Sequence, residues 1–195
     1  MTLWDTRPMS DQPLDLSRTW TESEYLALGE LDIRTELIDG KIVVSPPPDN
    51  PHQAISLNLT IALKSGARAV GLRTLEAIGV RLRPGTIVVP DIVIGKLSLE
   101  LGATDAADVV LVAEVTSPSN AAYDRGPKKA KYESAGIPWY LLVEPDRSSY
   151  HGVALHLYRL DGRRYVEHIS ARYGEPLVSG EPFLINVDTA GLLEP

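Results

Sequence analysis

The chain has 195 residues, of which 44% are hydrophobic and 23% charged, and its net charge is −7. These values fit one globular domain with a real core, and a single Phe makes that core mainly aliphatic. With no cysteine, disulfides, thiolate zinc sites and cysteine nucleophiles are excluded. The acidic balance excludes a surface that coats nucleic acid by bulk charge, but not an enzyme whose cleft carries its own cations.

Residues 1–18, with Pro8, Pro13 and several acids, read as a poorly ordered arm before a single domain over 19–195. The N-terminus lacks the apolar core of a signal peptide, and no stretch approaches the roughly 18 apolar residues of a membrane span. A cytoplasmic protein away from membranes is therefore expected. Thr21 and Glu24 fit a capping box that opens a short helix from Glu22 to Leu28. In RTELIDGKIVVS two strands flank the turn Asp39-Gly40, with Glu36 and Ile38 on one face. Pro46 to Pro48 end the second strand, and Asn50-Pro51 start a helix. Ile55, Leu59, Ala62 and Leu63 form the apolar face of that helix, which is expected to stop near Ser65-Gly66.

From Val70 to Gly95 the pattern is β-like, with a turn at Pro84-Gly85 and Pro90-Asp91 leading into Ile92 to Ile94. Residues 96–108 read as a loop, and 109–115 as a buried strand. Asp124 to Ala135 reads as a helix with Pro127 tolerated in its first turn and Gly136 as its cap. Trp139 to Val143 is another buried strand. Leu155 to Leu160 and Arg164 to Ile169 form a hairpin around Asp161-Gly162, and one short strand follows around Phe183 to Val187. This order predicts an α+β fold (an α/β sandwich), one mixed β-sheet flanked by helices, with β-hairpins.

The stretch VVLVAEVTSP carries the most chemical information. Glu114 interrupts an apolar run, and a carboxylate there is costly unless it is paired or binds a metal. A structural ion pair and a site are both open on this observation. Asp91, between two apolar strand segments, and Lys128, on the helix that follows the Glu114 strand, supply possible partners. If the two strands are neighbours, Asp91 and Glu114 converge. Two hard oxygen ligands with room for water suit Mg²⁺, which would activate water and neutralise charge on a phosphate. Lys128 would point its ammonium at both acids and orient the nucleophile or stabilise the transition state. It shares a helix face with Asp124 and Tyr132, whereas Lys129 is turned about 100° away. The crowding of Lys128, Lys129 and Lys131 suits either a phosphate-contacting patch or a solvated helix face. The four histidines show no zinc spacing, and His52 reads as a capping or packing residue. No nucleophile elbow, P-loop or dinucleotide fingerprint occurs.

Together, TELIDGKIVVSPPP, HQ, PDIVI, VAEVTSPSN and YDRGPKKAKYESAGIPWYLLVEPD resemble the Uma2 (DUF820) family of endonucleases in the PD-(D/E)XK superfamily, over about residues 20 to 165. The resemblance implies a restriction-endonuclease-like fold and a Mg²⁺-dependent (or Mn²⁺-dependent) endonuclease hydrolysing phosphodiester bonds of DNA. It also implies a homodimer and a metal site at Asp91 and Glu114. Thr116 stands where the superfamily motif usually has lysine. Lys128 is the matching position on the next helix, with Lys131 as the alternative. Glu36 matches an acidic position that completes the site, Asp124 and Tyr132 match as well, and Glu144 replaces a more usual Asp. A second reading is a nuclease-like domain of weak or no activity that binds nucleic acid or a protein partner. The acidic balance and the displaced lysine favour it.

Overall fold

The thirteen strands among the described residues form three sheets, each drawn from short segments whose alternation selects a face. The computed structural model describes residues 14–29, 31–117, 124–146 and 152–193. Residues 1–13 of the expected arm and His151 lie outside these. Leu14 packs against the cluster around Trp20, and the Trp20 indole N–H donates to the Asp15 carbonyl.

The capping box at Thr21 and Glu24 opens α1 (Glu22–Leu26). Strands β1 (Arg34–Ile38) and β2 (Lys41–Ser45) pair around Asp39-Gly40. They join β5 (Thr86–Val88), β4 (Val80–Arg83) and β7 (Thr104–Asp105) in the order β2-β1-β5-β4-β7. The larger sheet is β11-β10-β9-β8-β6-β3. It contains β3 (Arg73–Glu76), β6 (Ile92–Gly95), β8 (Val109–Val115), β9 (Trp139–Pro145), β10 (Val153–Asp161) and β11 (Arg164–Ala171). Only β8 and β9 run parallel in it, so the sheet is mixed. The hairpin of β12 (Pro176–Ser179) and β13 (Ile185–Asp188) forms the third. The fold is α+β, as the element order predicts, but the strands divide among three sheets instead of one.

The central sheet is covered on both faces, which explains the near-continuous apolar runs of β8 and β9. On one face, Ile55, Leu59, Leu63 and Ala67 of α2 (Asn50–Ala69) pack with Leu111, Ala113, Val115, Leu141 and Val143. Burying each such Ile or Leu side chain stabilises the fold by about 1.5–3 kcal/mol before entropy is counted. On the other face Val112, Tyr140 and Leu142 meet Val80 and Val88 of the smaller sheet, together with Tyr132 of α3 (Lys129–Ala135). Among the described residues no helix is long and apolar enough to cross a membrane.

Three local expectations change. Helix α2 continues past Ser65-Gly66 to Ala69. Gly66 is a close-approach residue, because a Cβ there would lie 2.0 Å from the Leu184 carbonyl oxygen. Gly66→Ala should therefore destabilise the protein by about 1–3 kcal/mol, the usual cost of overpacking, in a urea titration. The stretch 96–108 holds β7 and a 3₁₀ turn at Ala106–Asp108. A two-residue strand carries no periodicity, and β12 is likewise too short to read from its alternation. Finally, Asp124–Lys128 is a π-helical turn, and α3 begins only at Lys129. Pro127 lies inside the turn and contributes no N–H.

Candidate active site

Strand β8 alternates, so Leu111, Ala113 and Val115 face α2 while Val112 and Glu114 face the smaller sheet. Strand β6 runs antiparallel beside it with Ile92 opposite Ala113, which brings Asp91 level with Glu114. Both carboxylates are buried. Asp91 Oδ1 accepts from Arg34 Nη1 at 2.9 Å, and Oδ2 accepts from the Val115 N–H at 2.9 Å. His52 Nε2 lies 3.1 Å from the same Oδ2. A second Arg34 nitrogen donates to the Val89 carbonyl.

Arg34 and Glu36 share a face of β1, two residues apart. Glu36 Oε1 accepts from the Val89 N–H at 2.8 Å and lies 3.5 Å from Lys128 Nζ. Lys128 Nζ is 2.8 Å from Glu114 Oε1, which also accepts from the Tyr132 hydroxyl. Lys128 and Tyr132 meet one carboxylate because four residues of helix bring them back to the same side.

Three buried carboxylates thus face the basic side chains of Arg34 and Lys128. Burial pushes the Asp91 carboxyl up, but the His52 hydrogen bond and the charges of Arg34, His52 and Lys128 outweigh it and hold Asp91 well below the usual carboxylate range. Burial would lower the Arg34 pKa, but Asp91, Glu114 and Glu36 raise it, so the guanidinium stays charged. Burial, then Glu114 and Glu36, push the Tyr132 phenol well above its ordinary value and keep it a donor.

A depressed folded value means that the Asp91 contribution is present above its unfolded pKa, about 4. It is lost as pH falls toward the folded value. Asp91→Asn should cost about 3 kcal/mol at pH 7, since it removes the buried charge that pairs with Arg34. The gap to wild type should shrink below about pH 4. Urea unfolding at pH 7 and pH 3.5 checks this, and an equal gap at both values contradicts it.

The four residues singled out in the sequence, Asp91, Glu114, Lys128 and Glu36, come together. One detail differs. The expectation has Lys128 facing Asp91 and Glu114, whereas its ammonium contacts Glu114 and Glu36 and the direct ionic partner of Asp91 is Arg34. Lys129 lies over the Tyr158 ring, 3.5 Å from its centroid, and Lys131 lines a separate cleft. The Asp124 side chain lies outside the described residues. Glu144 pairs with Arg125 and lies 3.4 Å from His156, away from the cluster.

Sequence reading misses Arg34 and underrates His52. The signal for Arg34 is its place two residues before Glu36 on the same face. His52 is more than a capping or packing residue. The Asp49 side chain accepts its backbone N–H at 2.9 Å, and this cap directs the ring toward Asp91. With Nε2 turned to Asp91, Nδ1 points away from the carboxylate. It is buried without a hydrogen-bond partner.

The donor set suits a hard divalent cation. Three carboxylates against Arg34 and Lys128 leave one net negative charge when His52 is neutral, and burial penalises that excess. Among the described residues no group of three His, Cys, Asp or Glu is spaced to hold an ion alone. Asp91 and Glu114 could hold one in the manner of Mg²⁺, which takes one or two carboxylates and fills its other positions with water and phosphate.

A nuclease-like solved structure shares this fold. It is described as a "putative nuclease belonging to DUF820" from Anabaena variabilis ATCC 29413 and superposes with a TM-score of 0.65 at 21% identity. The alignment covers 89% of this chain and 97% of that one. Among curated proteins none matches significantly. The profile of the Uma2 family, described as "Putative restriction endonuclease", matches residues 22–189. That span contains every residue of the buried cluster and extends through β13, so the chain belongs to the Uma2 family.

Proposed function

We propose that this Uma2 protein is an endonuclease that hydrolyses phosphodiester bonds of DNA with Mg²⁺ or Mn²⁺, in one cytoplasmic domain over residues 19–195. The observation that carries this reading is the buried cluster of Asp91, Glu114, Glu36 and Lys128 at the ends of β6 and β8, with the half-buried Arg34 beside it. Asp91 and Glu114 would hold the cation, which when bound neutralises phosphate charge and acidifies water.

The other residues then have separate tasks. Lys128 places its ammonium beside Glu114, where negative charge grows on the phosphoryl oxygens as water adds to phosphorus and the sugar oxygen leaves. Its stabilisation is larger in the transition state than in the ground state. Glu36, fixed by the Val89 N–H, holds that ammonium in place. Tyr132 orients the Glu114 carboxylate. On this reading Lys128 supplies, from the following helix, the ammonium that a PD-(D/E)XK motif would place at Thr116.

The test is degradation of supercoiled plasmid by the full chain with Mg²⁺ or Mn²⁺. Cleavage should stop with EDTA and be absent in Asp91→Ala. The other reading, a binding domain without activity, draws on the Thr116 substitution and the acidic chain. Retarded but uncut plasmid would support it instead.

A further inference from the structure

A second feature lies one helical step from Lys128. The β4–β5 hairpin and α3 enclose a cleft of about 470 Å³, within the range of small-ligand pockets. Apolar Leu82, Pro127 and Ala130 line it together with Thr86 and Ser134, and it carries two basic side chains, Arg83 from the hairpin and Lys131 from the helix. We propose that this cleft seats the nucleotide flanking the scissile phosphate of a DNA strand, with Arg83 and Lys131 contacting its phosphate. The inference rests on the nuclease reading and extends it to the substrate path.

Three observations support it. Lys131 follows Lys128 by three residues, so their side chains are neighbours on the helix surface, about 5–6 Å apart at Cβ. A strand that presents one phosphate to Lys128 therefore brings the next within reach of Lys131. Arg83 pairs with Asp39, but the two side chains are 62% and 59% exposed. An ion pair that open to water is worth little, so Arg83 can exchange it for a phosphate, which it binds with two parallel N–H donors. The sugar and base would meet the apolar lining of Leu82, Pro127 and Ala130. In a chain of net charge −7, a polyanion needs such a local pair of cations. Asp39, which also accepts from the Thr86 hydroxyl, is an anion beside Arg83 that competes with the phosphate.

Anisotropy of a labelled DNA duplex bound by the full chain in EDTA, over a salt series, tests this. Arg83→Ala with Lys131→Ala should weaken binding about tenfold or more at low salt. It should flatten the slope of log K against log salt by about two, roughly one for each phosphate that is no longer neutralised. Arg83→Lys with Lys131→Arg should restore the slope. Asp39→Asn should tighten binding, a gain that damage to folding does not produce. An unchanged slope in the alanine pair overturns the inference. So does an equal loss in Lys64→Ala with Arg68→Ala, two exposed positions on α2, because bulk charge would then suffice. If plasmid cleavage is abolished by Asp91→Ala while the slope stays unchanged, the cleft assignment alone fails. If the slope flattens while the wild-type protein cuts nothing, the nuclease reading fails and the cleft remains a DNA contact.

Discussion

Lys128→Ala should lower cleavage by about a hundredfold or more, the scale of removing one preorganised electrostatic stabiliser. The ammonium sits 2.8 Å from Glu114 and 3.5 Å from Glu36. Its removal therefore leaves two buried carboxylates without their nearest cation. Breaking a buried pair in this way costs about 3–5 kcal/mol of stability, so single-turnover rates should be compared at a temperature where circular dichroism shows the variant folded. Mn²⁺ affinity should hold or rise, since the ammonium competes with a cation for Glu114. Lys129→Ala is the matched control. Lys129 packs over Tyr158 and should change cleavage far less. Equal rates for wild type and Lys128→Ala would remove the role assigned to this lysine.

Asp91→Ala and Glu114→Ala should each weaken Mn²⁺ binding by more than the ten- to hundredfold that loss of an outer partner costs, measured by calorimetric titration without substrate. Asp91, just before β6, lies level with Glu114 on the adjacent antiparallel β8, and each carboxylate would supply one of the few protein ligands that Mg²⁺ or Mn²⁺ takes. The variants should differ in stability. Asp91→Ala unpairs both Arg34 and His52, whereas Glu114→Ala unpairs Lys128 but leaves it Glu36. Unchanged affinity in both variants removes the metal site from the mechanism.

Much of the site is legible in the amino-acid order alone. The valine-rich run around Glu114 requires a buried strand, and a period of two puts its carboxylate on the face opposite Val115. The two-residue period puts Glu36 and Leu37 on opposite faces of β1, and the Asp39-Gly40 turn sets the β1–β2 register. Four residues separate Lys128 from Tyr132, so helix geometry alone aims both at one target. These are local rules, and each survives in the fold.

The assignment of partners is not legible there. Arg34 reaches Asp91 across 57 residues of sequence and His52 across 39. Alternation says which face a side chain occupies, but not which strand or helix end will lie against that face. The same holds for Gly66, which local pattern reads as a helix stop. It becomes a necessity inside the helix because the chain before β13 passes 2.0 Å from where a Cβ would be. The division of one expected sheet into three has the same origin. Strand period and turn chemistry depend on a few neighbouring residues, whereas sheet order depends on which apolar faces can be buried together, and that is decided only when the whole chain packs.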